Sequence, residues 1–534
     1  MMIDTEAGIK GHDILQALDG PELIFGLVGP VGTDLDNICN ALIAELSKYN
    51  YKIKIIRVSE QLYNIDKYSS MANIKYSSES ERIKEHMTAG SGLREETKRG
   101  DIFTLLCVSA IRRYREKINE KNKDIPESDR EDSPLNKTAY ILRSLKHPDE
   151  ITTLRAIYGR AVSIISAYSP REKRIEALAE KISRSKFDSY ESKYRTEAED
   201  LISIDEEEKG RELGQNVTEA FPRADLFVDV RSKDKTDVEI RRFIQLLFGH
   251  PYHTPTRDEF GMFHAKSAAL RSADLARQVG AAITNKEGDI ISVGCNDVPK
   301  YGGGLYWAGD NRDNRDYTKG FDSSVKFKRD ILAEVLDRFQ KADWLSEKNQ
   351  NKDIETLLTD LLDGKDRKLM KGAQIMNLLE FGRSVHAEMA ALSDAVKRGI
   401  NVKNAVLFCT TFPCHLCARH IIAAGIDRVV YIEPYPKSKV KKLYSDEIIV
   451  DEEFDVNDRI SFEPFVGIAP RQYMTLFEMR GDRKKRNGDI IEWEENTAKP
   501  KLKRYVLSYI MIEKQVLGYL IPHIFEDLPI GIVQ

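Results

Sequence analysis

The chain has 534 residues, a length that suggests two to four domains rather than a single hydrophobic core. Its 41% hydrophobic and 31% charged residues are typical of a soluble globular protein, and no apolar run approaches the roughly 20 residues that a membrane-spanning helix requires. The formal net charge of −4 gives the chain no general attraction to polyanions. This argues against a function that depends on binding the phosphate backbone of a nucleic acid.

The N-terminus and the cysteines both indicate a cytoplasmic protein. The opening residues, MMIDTEAGIKGHDIL, lack the basic flank, apolar stretch and cleavage site of a secretory signal. Six cysteines are too few and too scattered for a disulfide framework. In a reducing compartment the one CxxC pair, Cys414 and Cys417, indicates metal or redox chemistry.

The first predicted domain covers residues 1–235 and opens with an apolar strand at 23–29, a glycine-rich turn and a helical pattern. This order is typical of a mononucleotide-binding α/β domain. Further apolar segments separated by helical stretches predict a parallel sheet, with strands at 51–59, 138–145, 161–169 and 224–231. The charged segments 116–135 and 171–213 are predicted to be a solvated loop and an exposed helical excursion such as a lid.

The second predicted domain covers residues 236–534 and follows a charged linker between 232 and 240. Its elements have the order α-β-β-α-β-α-β, with a β-hairpin formed by GAAIT and IISVGCN and a long insertion at 298–375. This order predicts a mixed sheet with helices on both faces. The fold class is therefore α/β in both domains.

The strongest chemical signal is the sequence HAE at 386–388 together with PCHLC at 413–417. It matches the H-x-E…P-C-x-x-C signature of zinc-dependent nucleobase deaminases. Three ligands drawn from His and Cys leave the fourth tetrahedral position for water, which is the arrangement of a catalytic zinc. We therefore expect Zn²⁺ on His386, Cys414 and Cys417. The alternative is a structural CxxC knuckle beside an unrelated HAE.

Helix termini explain the chemistry expected of these residues. Pro413 is predicted at the first position of a helix, where free amide hydrogens and the helix dipole would favour thiolates at the two cysteines that follow. Glu388, two residues past His386, is expected to take a proton from the metal-activated water and deliver it to ring N3 and then to the departing amine.

The neighbouring cysteine and histidines are expected to be structural. Cys409, on the preceding strand, is expected to pack in the core rather than to be a fourth ligand. His415 and His420 are expected to support the fold or the ligands.

Longer motifs narrow the substrate. The segments RQVGAAIT (277–284), GCNDVP (294–299), HAE and TTFPCHLC together resemble the deoxycytidylate deaminase branch of the cytidine deaminase-like superfamily, over roughly 260–440. The resemblance implies that the second domain has the cytidine deaminase-like α/β/α fold and that Asn296 hydrogen-bonds the sugar. The other candidate substrate-binding residues are Ala387, Thr411, Phe412 and Tyr435. Asn296 as a turn residue and Phe412 as a core residue remain open alternatives.

A free nucleotide fits this composition better than a nucleic acid, because proteins that bind single strands usually carry a basic channel. The basic run KDRKLMK (365–371) is the best local counterevidence, and a solvated helix face is the simpler interpretation of it. The insertion also contains YGGGLYWAGDNRDNRDY (301–317), which is a candidate phosphate-facing or effector-facing loop.

The glycine-rich run after the first strand lies where a P-loop belongs. Aligning Gly29 with the first glycine of GxxxxGK[ST] puts Asp34-Leu35-Asp36 at the positions of Gly-Lys-Ser/Thr, which removes the phosphate-binding lysine. A working kinase is therefore not expected. A loop formed by Gly29, Gly32, Thr33 and Asp34 could still bind a nucleotide or serve in regulation or assembly, and an inert packing role is the alternative.

Taken over its full length, the chain resembles the bacterial anti-phage deoxycytidine nucleotide deaminases, in which a degenerate P-loop kinase-like domain precedes a deoxycytidylate-type deaminase. The resemblance implies action on dCTP and dCMP, which depletes a pool that phage replication requires. It also implies control by nucleotide effectors and, in some members, by a small inhibitory RNA. We further expect a homo-oligomer.

Three alternatives stay open: a housekeeping dCMP deaminase for thymidylate synthesis, a nucleotide-sensing binding protein, and a nucleic-acid cytidine editor. The tail from about residue 470 contains the apolar run YVLSYIMI (505–512), which suggests an added strand, a subunit contact or ordinary core.

Overall fold

The computed structural model describes residues 20–370, 373–435, 437–451, 458–479, 482–501 and 506–520. The N-terminal residues on which the expectation of no secretory signal rests lie outside these ranges, as do residue 371 of the basic run and residue 505 of the apolar tail. Within the described ranges, no helix is both long and apolar enough to cross a membrane. The chain divides into two compact units, a first unit from residues 1–259 and 466–534 and a second unit from residues 260–465.

The described strands are β1 (Leu23–Val28), β2 (Lys52–Arg57), β3 (Thr138–Leu145), β4 (Val162–Tyr168), β5 (Leu226–Asp229), β6 (Gly280–Thr284), β7 (Ile290–Cys295), β8 (Val406–Thr411), β9 (Arg428–Glu433), β10 (Ile448–Val450), β11 (Ile460–Pro464) and β12 (Gly467–Ile468). The longer helices are α1 (Leu35–Lys48), α2 (Glu79–Thr97), α3 (Ile102–Asn119), α4 (Pro148–Tyr158), α5 (Arg171–Ser185), α6 (Arg195–Glu206), α7 (Lys233–Leu247), α8 (Arg257–Ala269), α9 (Ser323–Lys341), α10 (Ile354–Leu362), α11 (Ala387–Lys397), α12 (His415–Ala424), α13 (Pro470–Phe477) and α14 (Val506–Gln515). Single-turn helices lie at Asp66–Ser69, Val217–Ala220, Asp316–Lys319, Glu347–Gln350, Arg367–Met370 and Val440–Leu443.

The first unit is built on a sheet of strand order β12-β5-β4-β1-β3-β2. Strands β1 to β5 run parallel, as predicted, and β12 pairs with β5 in the antiparallel sense. Every residue of β1 is buried, because a central strand of a parallel sheet is covered on both faces. On one face, Leu23, Phe25 and Leu27 share a hydrophobic core with residues of α1 and α7.

The predicted boundary between residues 232 and 240 differs from the structure, where the change of unit comes after Glu259. Helix α7 begins at Lys233 and buries Ile240, Phe243 and Ile244 in the core of the first sheet. The opposite face of α7 carries charged residues, and in the sequence alone these residues have the composition of a linker.

The tail also differs from the prediction, because it belongs to the first unit and not to the second. Its apolar run forms helix α14 rather than a strand. Two side chains of this helix, Tyr509 and Glu513, are buried and hydrogen-bond Glu22 and Arg115 respectively. Helix α14 is therefore part of the core of the first unit.

The segment 171–213 is helical, as predicted, but it is not simply exposed. Helices α5 and α6 pack together through Ile175, Leu178, Ile182 and Leu201, which form a small core that also includes Met87 of α2. The charged side chains of these helices cover the outside of this core.

The second unit contains a mixed sheet of order β10-β11-β9-β8-β6-β7, with the β6–β7 hairpin where the sequence predicts it. Helices α11 and α12 share a core on one face of the sheet, and α8 lies against the other face, where Gly261 approaches Phe408. The first helix of the predicted order is α8, which begins at Arg257 and ends at Ala269. Gly294 allows close packing, because an added Cβ would lie 2.4 Å from the Ala387 carbonyl oxygen.

Candidate active site

Two helix N-termini carry the predicted metal ligands. His386 is the N-cap of α11, and Cys414 is the N-cap of α12, directly after β8. The prediction that Pro413 opens the helix is wrong by two residues, because Cys414 has extended backbone angles (φ −71°, ψ 164°) and α12 starts at His415. Cys417 then lies in the first turn of α12, so both sulfur atoms face His386.

The three side chains fit a tetrahedral zinc ion. The Nδ1 atom of His386 lies 3.3 Å from the Sγ atoms of both Cys414 and Cys417. Bond lengths of about 2.3 Å to sulfur and about 2.1 Å to nitrogen at a tetrahedral angle separate such atoms by roughly 3.6 Å. Among the described residues, these three form the group of His, Cys and acidic side chains placed to hold one metal ion.

Burial and hydrogen bonding shift the pKa values at this site. The hydrogen bond from Cys417, followed by that with His386, lowers the pKa of the Cys414 thiol to about 4, which favours the metal-binding thiolate. The hydrogen bond with Cys414 raises the pKa of His386 to about 9. Glu388 is only 4% exposed, and this burial raises the pKa of its carboxyl group.

Two of the three ligands, His386 and Cys414, lie in the wall of a cavity of about 420 Å³, which we call the second-unit cavity. His386, Ala387 and Glu388 line it together with Cys414. The size falls within the range of about 300–1,000 Å³ that is typical of small-molecule sites. The cavity is therefore large enough to bring a small organic substrate to Glu388.

Asn296 lines this cavity, but its side chain also holds the adjacent backbone in place. Its Oδ1 atom accepts from the Val279 amide at 2.7 Å, and its Nδ2 atom donates to the Arg277 carbonyl at 2.8 Å. One amide hydrogen and one lone pair remain for a ligand. A hydroxyl group of a sugar could use them, and the predicted sugar contact stays a prediction.

Thr411, Phe412 and Tyr435 line the same cavity, and their contact with a substrate stays a prediction. The Oγ1 atom of Thr411 donates to Glu433 at 3.4 Å. The ring of Phe412 packs edge-on against Tyr431, with centroids 4.8 Å apart, so this residue belongs to both the core and the cavity.

The neighbouring cysteine and histidines lie in different environments. Cys409 is completely buried in the core of the second sheet, in register with Ala281 of β6. It is not part of the metal-binding group found among the described residues. His415 is half-buried and His420 is exposed on α12.

Four basic side chains that were not predicted as site residues also line the second-unit cavity: Arg277, Lys328, Arg383 and Lys437. Lys328 comes from α9, which is far from the zinc motifs in the sequence, whereas Arg383 lies three residues before His386. Asp316, from the candidate loop at 301–317, also lines the cavity and accepts from Arg383 at 2.6 Å. The basic run at 365–370 does not line it.

The glycine-rich loop of the first unit lies at the carboxyl end of β1. Gly29, Gly32 and Thr33 line a separate cavity there, whereas Asp34 does not. Asp34 is instead the N-cap of α1, where it accepts from the Asp36 and Asn37 amides.

Residues 255–433 match the family model described as "Cytidine and deoxycytidylate deaminase zinc-binding region". Over 55 residues the chain is 38% identical to the deoxycytidylate deaminase of Enterobacteria phage T2, a stretch covering 10% of this chain and 29% of the phage protein. Over 53 residues it is 42% identical to ComE operon protein 2 of Bacillus subtilis (strain 168), covering 10% and 28%. The chain thus matches less than a third of the length of these relatives.

Among solved structures, the dCMP deaminase from the cyanophage S-TIM5 in complex with dCMP and dUMP is similar to this chain at 16% sequence identity. The alignment covers 40% of this chain and 99% of the cyanophage chain, with a TM-score of 0.22, which is too low to support an argument. The family match and the ligand geometry agree: the second unit contains the zinc site of a zinc-dependent deaminase.

Proposed function

We propose that this protein catalyses the zinc-dependent hydrolytic deamination of deoxycytidine nucleotides to deoxyuridine nucleotides. The observation that carries the proposal is the placement of Glu388 in the wall of the second-unit cavity beside His386, Cys414 and Cys417. The match of residues 255–433 to the deaminase zinc-binding region supports it.

In this proposal Glu388 is the proton carrier of the reaction. Zinc held by the three ligands would supply an activated water molecule for attack on C4 of the cytosine ring. Glu388 takes a proton from that water and gives it to ring N3, and it then takes the proton of the hydroxyl group formed at C4 and gives it to the departing amine. Because its carboxyl group is buried and its pKa is raised, it can hold a proton between these two transfers.

The basic residues of the second-unit cavity favour a nucleotide over a nucleoside. Lys328 and Arg383 line the cavity beside the acidic Asp316 and Asp322, so the wall carries charges of both signs. A phosphate group would pair with the cations, and guanidinium groups bind phosphate oxygens through two parallel hydrogen bonds.

We extend the proposal to dCTP as well as dCMP and to a regulated role in defence against phage. The resemblance of the whole chain to anti-phage deoxycytidine nucleotide deaminases supports this extension, as does the presence of an additional unit beside the one that holds the zinc site. Control by a nucleotide effector or by a small RNA, and assembly into a homo-oligomer, belong to the same proposal.

The direct test incubates the zinc-loaded protein with dCMP, dCTP, CMP, cytidine and single-stranded DNA and follows the uracil products. We expect turnover of the deoxycytidine nucleotides. A Glu388→Gln variant should keep zinc but lose activity by about 100-fold or more, because general acid–base catalysis contributes about 10²–10⁴-fold. Turnover of none of the free nucleotides, or full activity of zinc-loaded Glu388→Gln, would overturn the proposal.

A further inference from the structure

The first unit contains a cavity of about 280 Å³, which we call the first-unit cavity. It is lined by residues that follow β1, β2 and β3, including Thr33, Ser59 and Lys146. In open parallel sheets, ligands bind at the carboxyl ends of the strands, beyond the sheet edge. The position therefore suits a binding site, although the glycine-rich loop lacks the residues of a working P-loop.

The lining of the first-unit cavity is strongly basic. Glu79 is the acidic residue of the lining, and the basic residues are Arg57, Arg82, Arg94, Arg143, Lys146 and Lys181. The carboxylates that pair with Arg94 and Arg143 belong to Glu150 and Asp36, which do not line the cavity. Because these carboxylates lie outside the cavity lining, the guanidinium groups of both arginines can still contact an anion in the cavity.

Three residues that line this cavity carry buried polar atoms without hydrogen-bond partners in the described part of the chain. Arg94 is 3% exposed and Gln215 is 6% exposed, and both line the cavity. Among the described residues, the Nε atom of Arg94 and the Oε1 atom of Gln215 have no hydrogen-bond partner, and neither has the Oγ1 atom of Thr33. Leaving buried polar atoms unpaired is costly, so a small side-chain rotation that brought these atoms to a polar ligand would be favourable.

A backbone amide of the glycine-rich loop is already bonded to a carboxylate of the protein, that of Asp205. The Val31 amide donates to a carboxylate oxygen of Asp205 at 2.7 Å, and the Lys146 ammonium lies 2.9 Å from the other oxygen. Asp205 is fully buried at the end of α6. A phosphate cannot share that amide with a carboxylate, so an incoming anion is directed to the arginines further along the cavity.

The wall that contains Phe103, Met87 and Leu178 is apolar. The guanidinium of Arg94 lies over the Phe103 ring at 4.9 Å, between the apolar wall and the basic residues. A ligand with a flat ring at one end and an anionic group at the other matches this distribution.

We propose that the first-unit cavity binds a nucleoside monophosphate, with its phosphate on Arg82 and Arg94 and its base against the apolar wall. Arg82 already forms two bonds with Glu79 and has further N–H groups to donate. This site is separate in the chain from the zinc site, and its occupation would make the first unit a nucleotide sensor.

The test measures binding to the full-length protein by calorimetry, with dAMP, dGMP, dCMP, dTMP and inorganic phosphate as probes. Arg82→Ala is compared with Lys84→Ala, which removes one exposed positive charge from the same helix but does not line the cavity. We expect at least one monophosphate to bind about tenfold more weakly to Arg82→Ala than to the unchanged protein, because a charge-assisted hydrogen bond is lost. Its binding to Lys84→Ala should be unchanged.

Inorganic phosphate should compete with that nucleotide, and the unphosphorylated nucleoside should bind much more weakly. Gln215→Leu provides a second variant, which removes a polar amide from the cavity wall without changing its charge. Thermal unfolding checks that each variant is folded. Three results would overturn the proposal: no monophosphate binds, the Arg82→Ala and Lys84→Ala variants bind alike, or the nucleoside binds as well as the nucleotide. Because the zinc ligands stay intact, deamination of dCMP is measured separately on the same variants.

Discussion

Cys409 and Cys414 are buried cysteines five positions apart, yet only one of them faces the metal-binding histidine. Cys409 lies within β8 and points into the core between the sheet and its helices. Cys414 follows the strand, where the chain has turned into the N-terminus of α12. The motif spacing predicted this difference, because a ligand pair three residues apart requires a helical turn.

We expect Cys417→Ser to lose zinc and Cys409→Ala to retain it. Loss of a ligand should reduce zinc affinity by more than the roughly 10–100-fold caused by loss of a residue that only supports a ligand. Metal content after dialysis against a weak chelator is the measurement. Cys409→Ala is the matched control, since it also removes a buried thiol, and equal zinc loss from both variants would contradict the assignment.

We expect Lys328 to make the enzyme prefer nucleotides to nucleosides by binding the phosphate group. Its ammonium group donates to the Met376 carbonyl at 3.2 Å, and burial lowers its pKa. Lys328→Met should reduce kcat/KM for dCMP by about tenfold or more while leaving deoxycytidine turnover unchanged, because one phosphate contact is lost.

The control for this prediction is Lys326→Met on the same helix. Lys326 is exposed, and it does not line the second-unit cavity. If both substrates lost activity equally in Lys328→Met, the residue would support the fold and not the phosphate.

At the scale of elements, glycines decide how closely α11 approaches its sheet. Gly294 in β7 faces the first turns of α11, and an added Cβ would meet the Ala387 carbonyl oxygen and the Ala391 amide nitrogen, each at 2.4 Å. Both are backbone atoms, so the helix as a whole would have to move. His386 and Glu388 would move with it.

Gly294→Ala should therefore destabilise the second unit by about 1–3 kcal/mol, which is the usual cost of overpacking, and reduce deamination as well. Gly92→Ala in α2 is the contrasting variant, because its added Cβ meets only the Tyr68 hydroxyl at 3.5 Å. Removing a glycine from a helix interior should stabilise it by about 0.5–1 kcal/mol. Urea unfolding monitored by fluorescence measures both, and a neutral Gly294→Ala would show that α11 can shift freely.

The elements that the sequence predicted correctly are those with one dominant pattern. Strands β1, β3 and β4 are buried on both faces, so each appears as a short, mainly apolar segment without strict alternation. For the apolar run of the tail, the core alternative agrees with the structure and the strand alternative is wrong: YVLSYIMI is rich in β-branched and aromatic residues, yet its described residues lie in helix α14. The basic wall of the second-unit cavity was not predicted. Arg277 and Arg383 lie in or next to motif segments but are not motif ligands, and Lys328 lies on α9, outside every motif.

At the scale of the whole molecule, the first unit is interrupted in sequence by the second. Its two parts meet around Arg115, which is fully buried and pairs with Glu22 from the start of the unit and Glu513 from the end. Tyr140 and Tyr509 each donate to Glu22 as well. A buried charge of this kind is stable only while its partners remain.

Glu513→Gln should destabilise the first unit by about 3 kcal/mol, the lower end of the range for breaking a buried ion pair, because Glu22 remains beside Arg115. Lys514→Gln is the neighbouring control; its exposed pair with Asp132 should contribute about 0–1 kcal/mol. Thermal unfolding of the full-length variants compares the two. Similar losses in both would mean that Glu513 does not hold the tail in place.

The interrupted order has a consequence for synthesis on the ribosome. Domains generally fold as units as they emerge, with N-terminal parts first. Here the edge strand β12 and the Glu513 partner of Arg115 are translated only after residues 260–465 are complete. The unit that holds the zinc site can therefore finish folding while the unit that begins the chain still waits for its last strand and helix, and until then Arg115 has only part of its counter-charge.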